Sequence, residues 1–542
     1  MSETKESPSA TEIHVEHQDD VESGGSEKVV FEHDKLRSKI EGVNQTRFDT
    51  SSWSFRMTVL ACSIALCASQ IHPLLYLTLA TAIARDLDAA NLSFWLLTSP
   101  IIASSATAPF VGPLADLFGR KLIFIGGVTF VLIGCIVSAA TPTGGGFVAG
   151  QALIGMGTVV EELLAIAIVG EIVPTAKRPI YAAGTLCMII PWSPGSLYGN
   201  FITRESWRWV GMLLGMWNLL IIVLLVPFYH PPPRVNSSGL SRRQLLGRID
   251  FVGGTAITIG ILFLSMALNW GGQEYPWNDS RVIAFLTIGF AFIIGFFLWE
   301  WKGAKYPLYP RRIVYAPRPF FCMLFVIFAA GVNYIPLTAF WAIENIAMYN
   351  TNRTETGINT IPLGSACLTL ADPNKIGTAM APAVIAMIGI GGVLVPNQVI
   401  ITVISPDELI GTVTALTLAV RAQAQVIGLA IFYNRFVHEV TKNSMKYLIT
   451  PAFKVGWLDI KGITEMMTAL TAVPFKEYAP LIPQLRDPEN YQIMHEATVK
   501  VFTEAFKHVW FITIGWGVPA VIAALCLGDL SAYMDGHIAA PL

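Results

Sequence analysis

Three ionisable side chains lie inside long apolar stretches of the chain. Glu161 and Glu162 fall near the middle of an apolar run over 146–172, and Arg421 falls within another run over 410–433. Charge is costly inside a bilayer and is usually functional there, so these residues are candidates for a substrate or proton pathway. Adjacent helical residues point about 100° apart, so at most one of the two glutamates should face a cavity squarely. Arg421 could pair with either glutamate, bind an anionic substrate, or form a purely structural ion pair.

Neutral polar side chains in the same kind of stretch are further candidates for this pathway. His72 precedes Pro73, which frees a backbone carbonyl one turn back, so the ring and that carbonyl could line a cavity. Gln70 and Asn333 are similar candidates. The alternative is that these groups are hydrogen-bonded structural residues. The sequence carries no metal-site spacing, phosphate-binding loop or catalytic motif, so we predict no metal, no cofactor and no enzyme activity.

The elements that carry these residues are predicted to be membrane-spanning helices, which need about 20 mostly apolar residues each. Hydrophobic residues make up 53% of the 542 residues and charged residues 14%, whereas soluble proteins carry about 25% charged residues. This composition excludes a typical cytosolic enzyme, and a net charge of -2 argues against a nucleic-acid partner. Twelve spans are predicted, over 57–82, 93–115, 121–141, 146–172, 179–202, 209–229, 251–270, 281–301, 319–343, 376–403, 410–433 and 509–531.

The loops between these spans predict the orientation of the chain. Lys and Arg are concentrated in the loops on the side that also holds the polar N-terminal tail, which places that tail in the cytosol. A thirteenth apolar run over 357–371 is short and contains Pro362, so we predict that it does not span. With twelve crossings the C-terminus is then cytosolic as well. The mixed-charge stretch 434–507 is predicted to be a large outer loop with short interfacial helices.

A glycine-rich and charged loop joins the second and third predicted spans. It reads Gly-Pro-Leu-Ala-Asp-Leu-Phe-Gly-Arg-Lys over 112–121. Its glycines permit a tight turn and a close helix approach. Asp116 is expected to cap a helix or to form an ion pair, and Arg120 and Lys121 to anchor at the cytosolic face.

This loop resembles the motif G-x-L-a-D-r-x-G-r-k of the major facilitator superfamily, with Leu117 in place of the first arginine. In that family the loop latches the helices during alternating access. The resemblance implies an all-α integral membrane protein with a major facilitator bundle. It assigns the role of a conformational-switch loop to Gly112, Asp116, Gly119, Arg120 and Lys121.

Several shorter stretches, in their shared order, resemble the fungal trichothecene efflux pump and siderophore transporter group of fourteen-helix drug:proton antiporters. The resemblance implies proton-coupled efflux of a small hydrophobic metabolite, toxin or drug. Two alternatives stay open: a siderophore-iron:proton symporter, and a non-transporting membrane sensor or inactive carrier. The stretches are Glu171-Ile-Val-Pro-Thr-Ala-Lys-Arg-Pro179, Ser206-Trp-Arg-Trp209, Leu268-Asn-Trp-Gly-Gly272, Tyr275-Pro-Trp277 and Pro406-Asp-Glu-Leu409.

The sequence departs from that group in two places. Gln151 begins the stretch where such antiporters often carry an arginine. Between about 357 and 375 the chain has one short apolar run where a fourteen-helix member has two full helices, so the resemblance implies that a helix pair is missing from the second half. Loss of a pair leaves the side on which the chain ends unchanged.

The expected organisation follows from these spans. Residues 1–50 form a disordered cytosolic tail, 51–230 a six-helix bundle, 231–318 a central loop with two extra helices, and 319–542 a truncated second bundle. The expected partners are a small-molecule substrate, protons and the lipid bilayer, without nucleic acid, and the chain is expected to be a monomer. The family resemblance implies the plasma membrane, with a vacuolar or vesicle membrane as the alternative.

Overall fold

The computed structural model describes residues 52–349 and 397–528, apart from short gaps at 90–91, 175–176, 193–194, 203–204, 232–243, 245–246, 273, 311–312, 315, 398–399, 406–408, 458 and 472–473. Within these ranges the chain is helical, and β pairing is limited to an isolated bridge between Gly271 and Tyr275. The helices are α1 (Trp53–Asp86), α2 (Ser93–Phe118), α3 (Arg120–Ala140), α4 (Gly144–Ile172), α5 (Arg178–Cys187), α6 (Gly195–Ile202), α7 (Arg208–Phe228), α8 (Phe251–Trp270), α9 (Ser280–Lys302), α10 (Pro317–Tyr349), α11 (Ile410–Tyr447), α12 (Ile449–Lys454), α13 (Ile460–Ala469), α14 (Phe475–Tyr478) and α15 (Pro488–Leu525).

Ten of the described helices are long and apolar enough to cross a membrane: α1 to α4, α7 to α11, and α15. The all-helical membrane fold predicted from the sequence is therefore confirmed. The twelve-span count is not fully covered, because almost all of the predicted span 376–403 lies outside the described residues. The tail 1–50, the short run 357–371 and the apparently missing helix pair also lie outside them.

The helix predicted over 179–202 is corrected by the structure. The chain there forms α5, a 3₁₀ turn over Ile190–Trp192, and then α6. Pro191 and Pro194 interrupt this stretch, and each lacks the backbone N–H that a continuous helix needs. The predicted single span is thus replaced by two short helices.

Small residues hold α3 and α4 together along their length. A Cβ built on Gly157 would overlap the carbonyl oxygen of Gly127, and one on Gly134 would lie 2.7 Å from that of Gly150. Helices in a bilayer associate through such close approaches, since burial from lipid supplies little driving force. This packing fixes the rotation of α4, the helix that carries Glu161 and Glu162.

The two central helices, α8 and α9, lie beside the rest of the bundle. Thr258 of α8 donates a hydrogen bond to the carbonyl of Ala106 in α2 (2.9 Å). Ser265 of α8 donates to Oε1 of Gln423 in α11 (3.2 Å), and Ser105 of α2 donates to the same oxygen (3.0 Å). These bonds tie α8 to both α2 and α11.

The structure corrects the predicted outer loop over 434–507 at both ends. Helix α11 continues to Tyr447 and α15 already begins at Pro488. The added turns are stabilised by apolar packing, because Phe436 lies 5.0 Å from Phe506 between ring centroids. Ion pairs one turn apart add to this, such as Arg435 with Glu439 at 2.7 Å. Charged residues therefore extend the two helices beyond the apolar spans.

Candidate functional site

A cavity of about 130 Å³ lies between helices of the two halves of the bundle. Apolar atoms form most of its surface, but eleven of the eighteen lining residues also carry a polar side-chain group, and these groups come from α1, α2, α4, α10 and α11. Such a surface fits a small, mostly apolar ligand that also carries polar atoms. The lining residues are Ser69, Gln70, His72, Pro73, Tyr76, Leu96, Pro100, Ile101, Ser104, Gln151, Thr158, Val159, Glu162, Tyr334, Leu418, Arg421, Ala422 and Gln425.

A salt bridge between Glu162 and Arg421 crosses this cavity. Nη2 of Arg421 lies 2.6 Å from Oε1 and 2.5 Å from Oε2 of Glu162. Both side chains are largely buried, with exposed fractions of 15% for Arg421 and 12% for Glu162. The pair joins α4 to α11, so separating the two helices requires a break in a buried ion pair or neutralisation of one partner.

The two adjacent glutamates have different surroundings. Glu162 lines the cavity and pairs with Arg421, whereas Glu161 is fully buried and is absent from the cavity wall. Neither carboxyl oxygen of Glu161 has a hydrogen-bond partner among the described residues. The turn of about 100° between adjacent helical residues accounts for this separation.

Of the neutral candidates, two line the cavity and one does not. Gln70 and His72 both line the cavity, from α1. Asn333 does not; its side-chain amide donates to the carbonyl of Thr513 in α15 (3.3 Å), while the neighbouring Tyr334 lines the cavity instead. The structure thus brings together four of the six predicted pathway residues: Gln70, His72, Glu162 and Arg421.

The predicted loop over 112–121 is helical except at Gly119, since α2 continues to Phe118 and α3 begins at Arg120. This segment closes one end of the interface between α2 and α11, and we name that end the motif end. Asp116 Oδ2 accepts hydrogen bonds from the backbone N–H of Thr412 (2.9 Å) and from its hydroxyl (2.7 Å). Thr412 lies in the first turn of α11, where backbone N–H groups have no partner within the helix and the helix dipole favours an anion. The carboxylate therefore stabilises the start of α11 and holds it against α2.

The Arg120 side chain, which the sequence predicts to anchor at the cytosolic face, is fully buried at the same end. It forms an ion pair with Glu171 of α4, and its Nη2 lies 3.8 Å from Oδ1 of Asp116. Lys121 points elsewhere and donates to the carbonyl of Val226 in α7 (2.8 Å). Arg120 thus links α2, α3 and α4 within one half of the bundle.

Two positions of the motif require glycine, for different structural reasons. A Cβ on Gly112 would lie 2.5 Å from the carbonyl oxygen of Gly411 and 2.7 Å from Cα of Thr412, so only glycine permits this contact of α2 with α11. Gly119 has φ of 91° between α2 and α3, a left-handed conformation that residues with a Cβ rarely adopt.

The profile of the fungal trichothecene efflux pump family (TRI12) matches residues 42–361, which is more than half of the chain. This chain belongs to that family. The efflux pump apf11 of Gibberella fujikuroi is 27% identical over 272 residues, covering 49% of this chain and 48% of that protein. The MFS-type transporter TOXA of Cochliobolus carbonum is 29% identical over 374 residues, covering 66% and 63%. The match thus spans about half to 63% of the length of these relatives.

Among solved structures, a bacterial homologue of the human lysosomal transporter Spinster, in an inward-facing and occupied conformation, is 16% identical with a TM-score of 0.44. It is matched over 90% of this chain and 99% of its own. Membership of the trichothecene efflux pump family confirms the family resemblance noted in the sequence. Its relatives named above are an efflux pump and a transporter, which are not enzymes, and the chain is a multi-pass membrane protein.

Three further residues belong to the candidate site, although the sequence did not single them out. Tyr76 and Tyr334 line the cavity, and Glu171 pairs with Arg120. The sequence could have indicated Glu171, since this residue lies at the end of an apolar helix and begins a stretch that resembles the family. Gln151 was noted only for the arginine it replaces, and it lines the cavity as a neutral group. Aromatic residues in apolar helices carry no comparable signal.

Proposed function

We propose that this chain is a plasma-membrane efflux transporter that exports a small, mostly apolar molecule in exchange for protons. The observation that carries the proposal is the Glu162–Arg421 salt bridge, which crosses the cavity between two halves of the bundle. A charged pair inside membrane-spanning helices is costly and is typical of proton and substrate pathways. Family membership supports the same assignment.

The size of the cavity supports an exchange between conformations. About 130 Å³ is smaller than the roughly 300–1,000 Å³ of most small-molecule sites. A drug-sized substrate therefore requires that the halves move apart. In the proposed cycle a proton binds Glu162, the bond to Arg421 is lost, and α4 and α11 separate. Loss of that proton lets the pair form again and closes the cavity.

The proposed orientation places the motif end in the cytosol, because the loops rich in Lys and Arg are predicted to lie on the same side of the membrane as the motif. Both termini are then cytosolic. We propose that the chain works as a monomer, since the cavity is formed by helices of one chain. A trichothecene is the first compound to test, since the family's description names that class.

The experiment uses the purified full chain in liposomes with a tritiated trichothecene and an imposed pH gradient. We expect gradient-driven accumulation in the wild type. We expect it to fall about tenfold in Glu162→Gln, within the range that a coupling free energy of roughly 1–3 kcal/mol gives. Glu496→Gln is the matched control, because Glu496 is exposed and its contact is a hydrogen bond from Gln492.

Each outcome bears on a different part of the proposal. Equal uptake by wild-type and empty liposomes would refute transport of this compound class and favour a sensor or inactive carrier. Transport that is indifferent to the pH gradient would refute the proton exchange. Equal loss in the Glu162 and Glu496 variants would refute a specific role for the salt bridge.

A further inference from the structure

The buried Glu161 carboxyl is not used by the transport cycle proposed above. It lies in α4 beside Glu162, its exposed fraction is 0%, and it takes no part in the cavity wall. Both of its carboxyl oxygens lack a hydrogen-bond partner among the described residues. A fully buried carboxylate without a partner is one of the most costly groups that a protein can hold.

The charged groups around Glu161 are engaged elsewhere. Arg421 of α11 pairs with Glu162. Arg120 of α3 pairs with Glu171, which lies ten residues further along α4 and so about 15 Å away along the helix axis. Of the titratable side chains described on the neighbouring helices, Cys135 of α3 lies within electrostatic range of Glu161. These surroundings accommodate the neutral, protonated acid.

We propose that Glu161 is a second proton-binding carboxyl, held within the N-terminal half and outside the cavity wall. The site differs from Glu162 because it carries a proton in the closed conformation, in which Glu162 is ionised and paired. Its role in coupling rests on the proposed transport function, but its proton occupancy does not.

Infrared spectroscopy of the purified chain in detergent tests this occupancy without any substrate. A protonated carboxyl has a carbonyl stretching band that an ionised carboxylate lacks. At neutral pH we expect this region to lose a component in Glu161→Gln and to keep it in Glu162→Gln. Glu496→Gln is a further control, because Glu496 is an exposed carboxyl. An unchanged spectrum in Glu161→Gln overturns the proposal.

A second variant keeps the test decisive if Glu161→Gln does not fold. Glu161→Asp keeps the acid in a shorter side chain, so we expect the band to shift in frequency. An unshifted band in Glu161→Asp overturns the proposal. A lost band in Glu161→Gln with no transport in the wild type refutes the transport proposal alone.

Discussion

Removal of the Asp116 carboxylate is expected to open the motif end of the interface between α2 and α11. The carboxylate accepts two hydrogen bonds from Thr412, through the backbone N–H and the hydroxyl. A hydrogen bond to a charged group contributes about 1.5–3 kcal/mol, so two at the lower figure give about 3 kcal/mol. Since about 1.4 kcal/mol corresponds to a factor of ten, Asp116→Ala should shift the equilibrium between closed and open by about 100-fold.

A buried cysteine reports this opening. Ala108 is fully buried and lies on the helix face shared with 105 and 112, which contacts α11. Ala108→Cys is placed in a background from which Cys187, Cys322, Cys367 and Cys526 have been removed. The measurement is the rate of labelling by a membrane-impermeant maleimide, with the background chain as the blank. We expect the rate to rise in Asp116→Ala in proportion to the open population.

Thr412→Val supplies the graded control, because it removes the hydroxyl and keeps the backbone donor. It should raise the labelling rate by about tenfold, which corresponds to one bond of about 1.5 kcal/mol. The double variant with Asp116→Ala should label no faster than Asp116→Ala alone. Labelling that is unchanged by Asp116→Ala, or that rises equally in both single variants, would refute the argument that this carboxylate holds α11 closed.

Other contacts give further predictions. Arg120→Ala breaks the buried ion pair with Glu171 and should cost about 3–5 kcal/mol of folding free energy, seen as a lower thermal unfolding temperature in detergent. Gly112→Ala places a Cβ against the backbone of α11 and should raise labelling of the same cysteine reporter. Trp510→Phe removes the indole donor to buried Glu344 (3.0 Å) and should cost about 1–3 kcal/mol by thermal unfolding.

Matched variants test each of these reasons. Arg120→Ala combined with Glu171→Ala should recover part of the lost stability, and a further loss would contradict the ion-pair explanation. Gly126→Ala meets no atom within 4 Å and should label like the parent; a rise equal to that of Gly112→Ala would exclude a steric cause. Trp510→Phe with Glu344→Leu should be more stable than Trp510→Phe alone, unless the indole acts only by packing.

Hydropathy located most spans because a bilayer requires long apolar helices with their backbone bonds satisfied internally. The span predicted over 251–270 matches α8 at both ends, where Asp250 caps the first turn by accepting from Gly253 N (2.9 Å). Hydropathy did not predict the helical segments that extend beyond the bilayer. The extensions of α11 to Tyr447 and of α15 back to Pro488 are charged, so their helicity depends on packing and ion pairs that a hydropathy pattern does not contain.

The sequence predicted which types of residue form the site, but not which of them pair with each other. A buried arginine needs an anion, which indicated that Arg421 would meet Glu161 or Glu162. The choice between them depends on the rotation of α4, and glycine contacts with α3 fix that rotation. The partner of Asp116 was beyond sequence reasoning, since Thr412 is nearly 300 residues away in the chain and contacts it only through tertiary packing.

Helix α11 connects the cavity to the motif end. Thr412 bonds to Asp116 of α2, and Arg421 pairs with Glu162 of α4. The two α11 residues are nine positions apart, which is about 14 Å along one helix. A continuous helix moves largely as a rigid element. In the proposed cycle, protonation of Glu162 releases α11 from α4, while the two bonds to Asp116 and the bond from Ser105 to Gln423 still hold α11 to α2. The proposed proton site and the motif end therefore act on the same helix, and each is expected to change the free energy needed to break the other.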